Sequence, residues 1–140
     1  MAWTPVTRIN DNKLGGVTLK AAGAITTDTT STAVEIGKGK FRVVTTWSTC
    51  TVAANDELYH VVLEANTRSA TSTWYELQTL AVLGAYEANG RQSDNASTGS
   101  VETIVDNPLD YQVQVRTYVN GTEAGGCNFA VVAYPLGSKY

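Results

Sequence analysis

The chain holds one histidine, His60, and two cysteines, Cys50 and Cys127. A structural zinc or a facial-triad iron needs at least three protein ligands. His60 sits inside an alternating apolar run with no Cys, Asp or second His at ligand spacing, so the sequence points to no metal and no other cofactor. The carboxylates Asp56, Glu57, Glu64 and Glu76 fall in neighbouring segments, but paired acid–base work depends on a separation that spacing along the chain does not fix. Solvated strand ends are the plainer reading. Gly121, Gly125 and Gly126 are not followed by the Lys-Ser/Thr of a phosphate loop and read as turn glycines. Asn95-Ala96-Ser97 and Asn120-Gly121-Thr122 match the glycosylation triplet, which has no use without secretion. Nowhere do a nucleophile, a base and an orienting group stand together, so the expectation is a protein that is not an enzyme.

Composition narrows the class. At 140 residues the chain is one domain, long enough to bury on the order of two-thirds of its unfolded surface. Charged residues make up 16% and apolar residues 43%, and abundant Thr favours strands over helices. The expected class is all-β. A net charge of −3 with 10 Lys+Arg gives no footprint for direct nucleic-acid binding, which needs clustered cations over phosphates. No apolar run reaches the roughly 18 residues of a membrane helix. The start, MAWTPVTRIND, has no signal-peptide pattern, and the expectation is synthesis and folding in a cytoplasm. There Cys50 and Cys127 read by default as buried thiols acting as small hydrophobes, with a disulfide as the alternative should their strands face each other.

The segment Tyr111 to Tyr134 carries the clearest pattern. Tyr111, Val113, Val115, Thr117 and Val119 take every second position, as on a half-buried strand. Asn120-Gly121 and Gly125-Gly126 then supply turn material, and Cys127, Phe129, Val131 and Ala133 form a second inward set. The pattern predicts a long antiparallel hairpin. Further strands are expected at Ala33–Ile36, Phe41–Trp47, Leu58–Asn66, Trp74–Leu83 and Val101–Val105, with Gly84 ending one of them. Glu87 to Ser100 reads as a long exposed loop. Residues 1–32 read as an extended N-terminal arm with a short strand near Val17, and residues 33–140 as the β-sandwich domain. An eight-strand jelly roll is the first expectation and an immunoglobulin-like sandwich the second.

The large side chains of the arm, Trp3, Val6 and Ile9, lack periodic local partners. They either fold back on the domain or dock on another chain, where Trp is enriched at hot spots. Together with Arg8 they are candidate partner contacts. Trp74-Tyr75, at a strand start, can place one ring outside, and Trp74 joins the set as a protein contact or a sugar platform.

The segments NDELYHVVLEAN, LAVLGAYEAN, LDYQVQVRTYVNGT and FAVVAYPLG, with the arm and the acidic, Thr- and Gly-rich texture, resemble the decoration (cement) proteins of tailed-phage heads. The similarity is to the small jelly-roll members that sit on HK97-type shells, and it covers roughly Asn55 to Gly137. The resemblance implies a virion protein on the capsid exterior that binds the major capsid protein, bridges capsomers and stabilises the DNA-filled head without an active site. It implies synthesis in a bacterial host and self-association, with dimers favoured over trimers. The alternative is a carbohydrate- or receptor-binding jelly-roll module of a virion fibre.

Overall fold

A computed structural model describes residues 16–36, 38–50, 57–84, 99–121 and 126–136. The described residues form nine strands: β1 (Val17–Ile25), β2 (Thr29–Thr30), β3 (Val34–Glu35), β4 (Gly39–Cys50), β5 (Leu58–Thr67), β6 (Ala70–Gly84), β7 (Gly99–Asn107), β8 (Gln112–Asn120) and β9 (Cys127–Pro135). They make two antiparallel sheets. Sheet I runs β1-β9-β4-β7 and sheet II runs β2-β8-β5-β6, with β3 also paired to β8. Their apolar faces meet in one core, so the fold is all-β and an antiparallel β-sandwich.

Each inner face follows from alternation. Phe41, Val43, Thr45 and Trp47 of β4 are buried, as are Tyr59, Val61, Leu63 and Ala65 of β5, Val113 and Val115 of β8, and Phe129 and Val131 of β9. Burying each large apolar side chain stabilises the fold by about 1.5–3 kcal/mol relative to leaving it exposed. The strand near Val17 is longer than its pattern suggests. All nine residues of β1 run along β9, from Val17 opposite Ala133 to Ile25 opposite Cys127. Thr29 and Thr30 pair with Thr117 and Arg116 of β8.

The hairpin expected over Tyr111–Tyr134 is overturned at the level of pairing. β8 bonds to β5, β2 and β3, while β9 bonds to β1 and β4, so the two strands lie in opposite sheets. Alternation specifies which side of a strand is buried, not which strand lies beside it. The inward sets Val113/Val115 and Phe129/Val131 are satisfied by entering one core from opposite sheets instead of lying side by side. Gly121 and Gly126, at φ 122° and 107°, supply the left-handed backbone that flanks this crossing between sheets.

β6 departs from period two. Leu77, Leu80 and Leu83 recur every third residue, a spacing that a regular strand cannot send to one side. The register of β5 against β6 shifts between Val61 and Val62 and again between Leu63 and Glu64. Each bulge resets the phase. Leu80 and Leu83 are buried and Leu77 packs against the core.

Candidate functional site

Of the expected contact residues, Trp3, Val6, Arg8 and Ile9 lie outside the described residues. Trp74 is half-buried near the start of β6, and its neighbour Tyr75 is the ring left outside, 50% exposed. β6 ends sheet II and β7 ends sheet I. β7 also leaves Val101 and Ile104 exposed, the latter at 56%. Both edge strands therefore present apolar side chains next to backbone groups that no strand among the described residues pairs.

The outer face of sheet II carries a polar and aromatic ladder built by register. His60, Val62 and Glu64 of β5 stand opposite Tyr118, Arg116 and Gln114 of β8. The Glu64 carboxylate accepts hydrogen bonds from Gln114 Nε2 at 2.8 Å and Arg116 Nε at 2.9 Å. The Glu64 side chain is 8% exposed and that of Arg116 33%. A carboxylate so enclosed is held in place by its two donors. The Arg116 guanidinium lies 5.8 Å from the centre of the Tyr118 ring. That ring meets His60 edge-on at 6.5 Å, and His60 Nε2 lies 3.2 Å from Thr79 Oγ1. Tyr118 remains 38% exposed, so what this face offers a partner is a ring beside a guanidinium.

A second cluster sits where β4, β5 and β9 meet. Tyr59 Oη accepts a hydrogen bond from Gly126 N at 2.8 Å and donates to the Glu57 carboxylate. Burial, and then the bond to Glu57, push the Tyr59 hydroxyl well above its usual range. Cys50 and Cys127 are free, buried thiols on directly opposed residues. Cys127 is pushed up by its contact with the Cys50 thiol and then by burial. Nearby, the register of β1 shifts between Lys20 and Gly23. The Lys20 ammonium fills that bulge, donating to Phe129 O at 2.7 Å, Ala21 O at 3.1 Å and Gly23 O at 3.2 Å. It also lies 4.1 Å from the centre of the Phe129 ring. Burial lowers its pKa, but all three of its protons are engaged, so it is a structural cation and not a free amine.

The reading of Glu57 and Glu64 as solvated strand ends is corrected, because both are buried. Arg116, the one charged residue of its strand, is the sequence signal for a buried acid on the neighbouring strand. Lys20, the lone cation of VTLKAAGAI, marks the bulge whose carbonyls it binds. Among the described residues no three His, Cys, Asp or Glu side chains gather to hold a metal. A groove of about 420 Å³ opens between β1 and the β2–β3 segment, floored by Leu19, Val34 and Val115 and rimmed by Thr and Ser hydroxyls.

No protein-family model matches this chain, and no curated protein matches it at a significant level.

Proposed function

We propose that this chain is a non-enzymatic virion component, a decoration protein that binds the outside of a tailed-phage capsid and stabilises the DNA-filled head. The observation that carries the reading is where large apolar side chains are left in water. Val101 and Ile104 on edge strand β7 and Tyr75 on edge strand β6 put adhesive surface on strands able to accept a partner. The strand orders β1-β9-β4-β7 and β2-β8-β5-β6 support a jelly roll, in which the chain crosses between sheets at most connections and resists peeling. Such a body bridges capsomers of the major capsid protein as a rigid lever, while Trp3, Val6, Arg8, Ile9 and Trp74 add contacts. Many weak contacts repeated over a symmetric shell hold through effective concentration. Self-association, as dimers ahead of trimers, uses the same open edges.

The test is a phage unable to make this protein. Its heads fill and then release DNA at a lower temperature than heads to which the purified protein is added back. Equal release temperatures contradict the reading. A second reading, a carbohydrate- or receptor-binding fibre module, draws on the exposed Tyr118 ring beside Arg116 and His60. Glycan-array binding that Tyr118→Ala abolishes would favour it.

A further inference from the structure

The geometry points to Cys50 and Cys127 as a disulfide site, a cross-strand staple between the ends of β4 and β9 that closes by exchange with a small disulfide such as oxidised glutathione. The two residues are direct partners in the β4–β9 ladder. Opposed residues in an antiparallel pair have Cα atoms about 4.5 or about 5.5 Å apart, depending on their place in the hydrogen-bond pattern. A disulfide accepts about 4.4–6.8 Å. Either ladder position therefore meets the Cα requirement, and closing the bond draws the two Cβ atoms, about 4.5–5.5 Å apart in such pairs, slightly together.

Side-chain direction agrees. In a regular strand Thr49 would follow Trp47 onto the inner face and Cys50 would point away. The register shift between Trp47 and Thr49 advances the phase by one, so that Cys50 joins Cys127, Phe129 and Val131 among the buried residues. The bulge is what brings the two buried thiols to the same side of the ladder.

The exchange balances without any further reactant. One cysteine thiolate attacks the small disulfide and forms a mixed disulfide, releasing one small thiol. The second thiolate attacks the cysteine sulfur of that mixed disulfide and releases the other small thiol. The two cysteines are oxidised by two electrons, the small disulfide is reduced by two, and the protons leaving the cysteines end on the released thiols. Cys127 is fully buried and holds its proton strongly, so attack waits on opening of the β4 and β9 ends or happens during folding. Once closed, the bond spans β5 to β8 in sequence, a long loop whose closure restricts the unfolded chain.

The test compares the disulfide equilibrium in the folded and unfolded chain. Full-length protein is brought to equilibrium across a series of reduced-to-oxidised glutathione ratios, once native and once in denaturant, then alkylated and weighed. Native samples start both from reduced protein and from protein oxidised while unfolded and then refolded, so that slow access to buried thiols does not pass for a poor equilibrium. The expected result is a native species lacking two hydrogens, with Cys50 and Cys127 linked in one digest fragment. It persists at a glutathione ratio at least about ten-fold more reducing than the denatured chain tolerates. Cys50→Ser should remove that species while leaving the fold intact by circular dichroism. A native midpoint equal to or more oxidising than the denatured one overturns the site. So does a glutathione adduct as the end product, or failure of the oxidised chain to refold.

Discussion

Trp47 lies flat against the backbone of Gly99, its cross-strand partner in β7, so closely that a Cβ at residue 99 would stand 2.4 Å from Trp47 Cζ2. The indole is buried, so an added methyl forces the ring or the strand to shift. Gly99→Ala should therefore destabilise the fold by about 1–3 kcal/mol through overpacking. At Gly23 the same added atom meets only Ala21 O at 4.0 Å, and Gly23→Ala should be neutral or slightly stabilising. Urea midpoints of the two variants check the contrast.

Val115→Asp should cost about 4 kcal/mol or more, because it places a carboxylate on the inner face opposite Leu63, where nothing pairs with it. From alternation alone Gln114→Asp would be mild. The structure reverses that expectation, since Gln114 donates to Glu64 and an Asp there sets two carboxylates against Arg116. A loss of about 1–3 kcal/mol is expected. Chemical denaturation of both variants at neutral pH decides it.

Lys20→Met keeps the apolar stem but withdraws the ammonium from Gly23 O and Phe129 O. With that donor withdrawn from the bulge, the expected loss is about 1–3 kcal/mol. Amide hydrogen exchange should rise first along β1, which marks the loss as local to the edge of sheet I.

Stability should fall in alkali. Tyr59 and Cys127 hold their protons more tightly folded than unfolded. Their contribution is fully present below the unfolded values of 9.0 for the thiol and 10.0 for the phenol. Above each of these the unfolded chain releases a proton that the folded chain keeps, and stability drops as pH rises. Lys20, lowered from 10.5 by burial, acts in the opposite sense. Denaturation midpoints from pH 7 to 11 should be flat and then decline. Tyr59→Phe combined with Cys127→Ala should flatten the decline.

Much of the sandwich is legible in the alternation of β4, β5, β8 and β9, because a buried face leaves a period-two trace. Partner choice leaves no such trace, which is why β8 and β9 read as a hairpin when they lie in opposite sheets. Bulges are the other hidden device. The shift after Trp47 sends Cys50 inward, and the two shifts along β6 admit Leu77, Leu80 and Leu83 to the core. Glu64 and Arg116 lie far apart in the chain and only the β5–β8 register joins them. Their pairing could be suspected from an isolated cation in an apolar strand, but it could not be assigned.

The central claim, attachment to a capsid exterior, is met most directly by cosedimentation of the purified full-length chain with mature empty phage shells over a concentration series. The account predicts saturable binding at a fixed number of copies per shell, with Ile104→Asp raising the concentration needed while the melting temperature stays unchanged. Protein that stays in the supernatant at every concentration, while remaining folded by circular dichroism, would contradict it.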